Sequence, residues 1–205
     1  MTYFVSTAAK PACQPLADVI YILDSSGSIG PLNYQKQINF TTDLASNFII
    51  GNNDVLFGAV IFSHVAQKWF DLKDNPTRAS LALALRNTPY LNSTTKTDQA
   101  LDLVETAGMF RREAGARDGS TKLLIVITDG LSDNPALTSA AADRIKAKAI
   151  EIITVGIGKA QDSELQAIAS SRENVFRASS FDALKQIVSQ VISRACATAQ
   201  GLDCD

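Results

Sequence analysis

Acidic and hydroxyl side chains crowd together directly after an apolar run near the start of the chain. The run "VIYIL" ends at Leu23, Asp24 follows it, and Ser26 and Ser28 come at the next alternate positions. Because side chains alternate along an extended segment, three oxygens at this spacing can point the same way. Carboxylate and hydroxyl oxygens are hard ligands that suit Mg²⁺, Ca²⁺ or Mn²⁺. The pattern therefore indicates either a metal site or a polar turn.

Two later loops carry similar oxygens. The apolar stretch "KLLIVITD" ends in Asp129, and "NSTTKTDQAL" contains Thr95 and Thr97. The carboxyl ends of parallel strands lie at one edge of a sheet, so Asp24 and Asp129 converge if their strands are neighbours. Two carboxylates that close together repel, so that one pKa rises or a cation lies between them. Either threonine would add a hydroxyl, although each loop taken alone is more typical of a turn or a helix cap than of a metal site.

Apolar strands alternate with helical stretches, which predicts a mostly parallel, doubly wound α/β sheet with helices on both faces. The short connection Ser63–His64 predicts a hairpin that leads into one antiparallel edge strand. The predicted strands are 17–24, 54–63, 65–70, 122–129, 150–158 and 174–179, and the predicted helices are 31–49, 75–88, 97–110, 134–149, 162–170 and 181–195.

The chain length of 205 residues suits one large domain. We predict that this domain covers 17–195, after a lead of 1–16 and before a tail of 196–205. The net charge of −2 and the lack of a basic stripe argue against nucleic acid as a partner. No apolar stretch approaches the roughly 20 residues of a membrane span. The first residues lack the basic region of a signal peptide, so the chain is cytosolic, a mature form or an excised fragment.

The three cysteines lie near the two ends of the chain, outside the predicted regular elements. Because the ends of a domain often lie close together, we predict a Cys13–Cys196 disulfide, in which Cys204 could replace Cys196. Such a bridge would stabilise the domain by at most roughly 5 kcal/mol and would indicate an oxidising compartment. The remaining cysteine would suit an intermolecular link. The alternative is three unrelated free thiols.

No catalytic arrangement stands out in the sequence. The single histidine, His64, lies at the predicted hairpin tip. The stretch "GSIG" is not a nucleophile elbow, and no phosphate-binding loop with Gly-Lys-Ser/Thr occurs. We therefore expect that this protein is not an enzyme.

Taken together, "ADVIYILDSSGSIG", "TKTDQAL" and "LLIVITDGLSD" resemble the von Willebrand factor type A domain, also called the integrin I domain. The likeness runs from residue 17 to 195. It implies the strand order 3-2-1-4-5-6 and a metal-ion-dependent adhesion site. Carried over to this sequence, the metal ligands are Asp24, Ser26, Ser28, Thr95 and Asp129. Thr95 is preferred to Thr97 as the first threonine of a Thr-x-Thr unit, although "NSTT" stands where the family usually has a glycine pair.

The resemblance implies an extracellular adhesion or matrix-assembly module. In such a module Mg²⁺, or Mn²⁺ or Ca²⁺, binds an acidic group of a protein partner, and collagen is the first expectation for that partner. The tripeptides at Asn39 and Asn92 are glycosylation sequons and weakly support secretion. The alternative is an intracellular A-domain scaffold within a multiprotein complex.

Overall fold

The computed structural model describes residues 15–199, which form one six-stranded sheet with helices on both faces. The order is β3-β2-β1-β4-β5-β6, and only the β2–β3 pair is antiparallel. The predicted fold class, strand order and single antiparallel edge are therefore confirmed. The strands are β1 (Ala17–Asp24), β2 (Val55–Phe62), β3 (Ala66–Phe70), β4 (Thr121–Thr128), β5 (Glu151–Ile157) and β6 (Val175–Ala178).

β1 lies at the centre of the sheet, and all eight of its residues are buried. Its side chains alternate between two apolar clusters, with Val19, Tyr21 and Leu23 in one and Ile20 and Ile22 in the other. Burying a large aliphatic or aromatic side chain stabilises the fold by about 1.5–3 kcal/mol. A parallel strand covered on both faces is apolar throughout, which explains the unbroken run before Asp24.

Six helices cover the two faces. Helices α1, α2 and α6 pack on the face that contains Tyr21, and α3, α4 and α5 pack on the other. Pro31 begins α1, a position that suits its fixed φ and missing N–H. The helices are α1 (Pro31–Ser46), α2 (Arg78–Arg86), α3 (Thr97–Thr106), α4 (Pro135–Lys146), α5 (Asp162–Ile168) and α6 (Leu184–Ala199).

Several helix ends differ from those predicted. Thr77 caps α2, two residues after the predicted start at 75, because its hydroxyl accepts the N–H of Ser80. The helix α5 begins at Asp162, as predicted, but ends at Ile168 and not at 170. The last helix continues to Ala199 after a 3₁₀ turn at 181–183. Cys196 was predicted outside the regular elements, but it lies within α6 and packs partly buried against the core.

The two ends of the described chain lie together. Pro15, Ala17, Ala195 and Ala199 line the same small cavity, beside the start of β1. Thr121, at the start of β4, donates its hydroxyl to the Ala199 carbonyl at 3.2 Å. Both ends are therefore at the amino edge of the central strands. No helix within 15–199 has the length and hydropathy needed to cross a membrane.

Candidate metal centre

Three loops meet at the carboxyl edge of the sheet: the first loop (25–30), the second loop (89–96) and the third loop (129–134). The Gly27 N–H donates to the Ser93 carbonyl at 2.8 Å, and the Asn92 N–H donates to the Ser25 carbonyl at 2.9 Å. These bonds join the first and second loops. The Asp133 N–H donates to the Thr95 carbonyl at 2.9 Å and so joins the second loop to the third. The backbone thus holds all three loops at one rim.

Four of the five predicted ligands form a continuous chain of contacts. Asp24 Oδ1 accepts the Ser26 N–H at 2.8 Å. The Ser26 and Ser28 hydroxyl oxygens lie 3.1 Å apart, and Ser28 Oγ donates to Asp129 Oδ1 at 2.7 Å. Thr128 Oγ1 donates to Asp24 Oδ2 at 2.6 Å. The first and third loops therefore bring Asp24, Ser26, Ser28 and Asp129 together, as their positions after β1 and β4 require.

The two carboxylates lie in surroundings that disfavour their negative charge. Burial raises the pKa of Asp24 to about 6, against the lowering effect of its hydrogen bonds from Ser26 and Thr128, and the Asp129 charge raises it further. Burial also raises the pKa of Asp129, while its hydrogen bond from Ser28 lowers it. Among residues 15–199, no lysine or arginine forms an ion pair with either carboxylate. A bound cation would supply the missing positive charge.

The two candidate threonines lie in the second loop and at the start of α3. Thr95 is half-buried, and its N–H donates to Asp133 Oδ1 at 3.4 Å. Lys96 forms an ion pair with the other oxygen of Asp133 at 3.2 Å. Thr97 begins α3 and is buried, and its hydroxyl has no hydrogen-bond partner in the described part of the chain. Thr95 as the fifth metal ligand stays a prediction, and Thr97 is the alternative ligand.

Tyr90 supports the site, and the sequence gives no signal that would have identified it. Its hydroxyl accepts the Gly30 N–H at 3.0 Å and donates to the Ser26 carbonyl at 3.1 Å. Its ring lies against that of Tyr34 on α1, with the ring centres 5.3 Å apart. Ser25 acts in a similar way, because its hydroxyl accepts the Leu91 N–H at 2.7 Å. These bonds fix the backbone on which Ser26 and Ser28 are carried.

Glu164 on α5 anchors the third loop, another role that sequence reasoning missed. Both of its carboxylate oxygens accept the Ser132 N–H, at 3.1 and 3.2 Å. Burial raises the pKa of Glu164, and the hydrogen bonds from Ser132 oppose that rise. The Ser132 hydroxyl in turn accepts from Thr138 Oγ1 at 2.9 Å. The loop that carries Asp129 is therefore tied to both α4 and α5.

The donor set fits a hard divalent cation. Within 15–199 no group of three or more His, Cys, Asp or Glu side chains could hold a metal ion. The rim is a different kind of site, with two carboxylates and several neutral hydroxyls. Mg²⁺ is commonly bound by one or two carboxylates and keeps several waters, and Mn²⁺ accepts similar oxygen ligands. Such a site would leave coordination positions for a partner.

The predicted modification sites are only partly within the described residues. Asn39 on α1 and Asn92 in the second loop are both exposed. Cys196 is disulfide-bonded. Cys13, its predicted partner, and Cys204, predicted for an intermolecular link, lie outside the described residues, so the Cys13–Cys196 pairing remains a prediction.

A family model described as von Willebrand factor type A domain matches residues 18–190. The chain belongs to this family. It is 33% identical to the collagen alpha-6(VI) chain of Mus musculus over 92% of its own length, and 32% identical to the collagen alpha-5(VI) chain of Homo sapiens over 92%. It spans only 8% and 7% of those two relatives.

Solved structures agree with this assignment. Proximal thread matrix protein 1 from the mussel byssus, with a zinc-occupied MIDAS motif, superposes with a TM-score of 0.85 and 28% identity. The match covers 90% of this chain and 49% of the mussel protein. Manganese-loaded TRAP protein from Plasmodium vivax has a TM-score of 0.70 at 20% identity, over 87% and 74% of the two chains, and supports the fold alone.

Proposed function

We propose that this domain is a non-enzymatic adhesion module that holds a divalent cation at the rim and binds an acidic group of a protein partner. One observation carries the proposal: the carboxylates of Asp24 and Asp129 are joined through serine hydroxyls, yet no cationic side chain pairs with them in the described chain. The zinc-occupied motif of the similar mussel protein supports the same reading.

Asp24, Ser26, Ser28, Thr95 and Asp129 would hold the cation, and Mg²⁺ is the first candidate, with Mn²⁺ and Ca²⁺ as alternatives. When bound, the cation supplies a Lewis-acidic point that attracts a carboxylate. Leu32 follows the first loop and is 81% exposed, and Leu131 lies within the third loop and is 50% exposed. Apolar side chains exposed beside a polar site are typical of protein interfaces. They favour a protein partner over a small molecule.

Several observations support an extracellular setting. The relatives include collagen chains, and the disulfide at Cys196 is typical of an oxidising compartment. The exposed Asn39 and Asn92 would be open to glycosylation. A matrix protein such as collagen is therefore the first partner to test.

The single histidine, His64, lies exposed in the β2–β3 turn, and the sequence contains no nucleophile elbow. Both observations support the proposal that the module is not an enzyme.

Calorimetric titration of Mg²⁺ and Mn²⁺ into metal-free protein tests the proposal. Asp24→Asn keeps the shape of the side chain but removes its charge, so we expect the binding heat to disappear. Asp118→Asn is the matched control, because Asp118 is an exposed carboxylate that precedes β4, at the amino edge of the sheet and so opposite the rim, and it is ion-paired with Arg112. The control should bind as the wild type does. Equal heats in all three proteins would refute the metal site.

Intact mass after alkylation without reductant counts the free thiols and so tests whether the chain contains a disulfide. Any single bridge leaves one thiol for the alkylating reagent, and a peptide map that finds the label on Cys204 identifies the bridge as Cys13–Cys196. Three modified thiols would instead favour the intracellular scaffold.

A further inference from the structure

A groove of about 490 Å³ opens beside the metal rim, a volume within the range of protein ligand sites. Ser28 and Asp129, two of the predicted metal ligands, belong to its lining. Lys159, from the turn after β5, also lines the groove, together with Ser180 and Asp182 from the segment after β6. The groove is thus continuous with the metal rim and extends past it toward the ends of β5 and β6.

Of the charged side chains that line this groove, one carboxylate has an ion-pair partner and the lysine has none within 15–199. The Asp182 carboxylate is paired with Lys36 on α1 at 2.8 Å. Asp129 would share its charge with the bound cation. Lys159 is exposed and forms no ion pair with a carboxylate within 15–199. With a cation at the rim, the groove therefore offers a partner two positive points, the ion and the Lys159 ammonium.

The turn that carries Lys159 is held firmly. The Gly158 N–H donates to the Ala178 carbonyl at 2.9 Å, and Gly158 adopts φ +56°, a conformation that suits glycine. The Arg177 guanidinium donates to the carbonyls on both sides of Lys159, those of Gly158 and Ala160. A lysine on a fixed turn loses less backbone freedom when it binds a ligand.

We propose that the groove binds an extended segment of the partner that carries two acidic side chains, one at the metal ion and the second at Lys159. The inference rests on the proposed function, because the first acidic group needs the cation. Lys159 then determines specificity: it distinguishes a segment with two suitably spaced carboxylates from a segment with one. In an extended segment, residues two apart point the same way and lie about 6.6 Å apart, and residues four apart lie twice as far.

The proposal is tested with Gly/Ser peptides that have blocked termini. One peptide carries a single glutamate, and two others carry a second glutamate two or four residues after the first. They are titrated into ¹⁵N-labelled protein saturated with Mg²⁺, and the amide signals of Gly158 and Lys159 report binding. We expect one of the two-glutamate peptides to bind about three- to fivefold tighter than the one-glutamate peptide, the gain of an exposed ion pair. Lys159→Met should remove this gain. Lys122→Met, the same charge change at the start of β4, should leave it intact.

The outcomes separate this inference from the proposed function. A wild-type protein that shows no Mg²⁺ binding by calorimetry overturns both. A protein that binds Mg²⁺ but binds one-glutamate and two-glutamate peptides equally overturns the groove proposal alone. A two-glutamate gain that survives Lys159→Met, or that Lys122→Met removes equally, also overturns it, because general attraction to positive charge would then explain the result.

Discussion

The central strand β1 carries a buried aspartate near each end, and the two have very different hydrogen-bond and ion-pair partners. Asp18 and Asp24 both have 0% exposure. At the amino end, Asp18 accepts from the Arg117 guanidinium and from the Arg117 backbone N–H, each at 2.8 Å, and from the Ser120 hydroxyl. At the carboxyl end, the hydrogen bonds that Asp24 accepts within the described chain come from neutral groups, and a second carboxylate, Asp129, lies near it.

The difference distinguishes a carboxylate that the fold neutralises from one that we propose to bind a cation. A buried charge is costly unless a partner neutralises it, and the fold provides that partner for Asp18. Within residues 15–199 no cationic side chain pairs with Asp24, so we expect a proton or a bound cation to supply the neutralising charge. Burial alone would not have distinguished the two residues. The presence or absence of a fixed cationic side chain does.

Removing the Arg117 guanidinium, at the amino end of β1, should have the largest effect on stability. Arg117→Met leaves Asp18 buried without its counter-ion and leaves the carbonyls of Ala17 and Asn52 without their donor. We expect the free energy of unfolding to fall by about 3–5 kcal/mol, as for other broken buried pairs. Chemical denaturation of purified protein measures the loss.

The double variant Asp18→Asn/Arg117→Met should recover part of this stability, because it no longer buries an unpaired charge. Arg112→Met is the surface control: its ion pair with Asp118 is exposed, and the change should cost less than about 1 kcal/mol. An Arg117→Met protein as stable as the Arg112→Met protein would remove the contrast between the two ends.

At the carboxyl end, the stability of metal-free protein should depend on pH. The folded pKa of Asp24, about 6, lies above its ordinary value of 3.8, so its stabilising protonation is complete below pH 4 and is lost as the pH rises through 6. We expect the free energy of unfolding to fall by up to about 3 kcal/mol across this window. The raised pKa values of Asp129 and Glu164 act in the same direction.

Denaturation curves at pH 4, 5, 6 and 7 in the presence of a chelator measure this dependence. Asp24→Asn should flatten most of it, and saturating Mg²⁺ should restore stability at pH 7 by binding the folded form. A metal-free wild type that is equally stable at pH 5 and pH 7 would contradict the assigned pKa.

The smallest expected effect concerns the two hydroxyl donors. Thr128→Val removes the donor to Asp24 Oδ2, and Ser120→Ala removes one donor to Asp18. Each should cost about 1 kcal/mol. Only Thr128→Val should also move the fall in stability to higher pH, because it removes a bond that favours charged Asp24. Ser120→Ala should keep the wild-type pH profile, and an equal displacement in both variants would show that the two ends do not differ.

The carboxyl end was largely predictable from the sequence, because the first and third loops each directly follow a recognisable strand. Asp24 and Asp129 each end an apolar run, and parallel pairing of β1 with β4 brings them to one edge. The amino end was not predictable. Arg117 lies 99 residues from Asp18, in a polar connection with no periodic pattern, and pairing across such a distance depends on tertiary packing.

The second loop shows an intermediate case. The stretch "NSTT" stands where the family usually has a glycine pair, and Asn92 there adopts φ +54°. Asparagine tolerates this left-handed conformation better than most residues, so Asn92 adopts a backbone angle that glycine also permits. The residue type was visible in the sequence, whereas the conformation and the support from Tyr90 required coordinates.

The shared cavity of Pro15 and Ala199 has a consequence for access to the rim. The described chain begins and ends at neighbouring points, beside the start of β1. The surface that bears Asp24 and Asp129 lies at the opposite edge of the sheet, where the central strands end. A partner that approaches that surface therefore does not have to pass the points at which the described chain begins and ends.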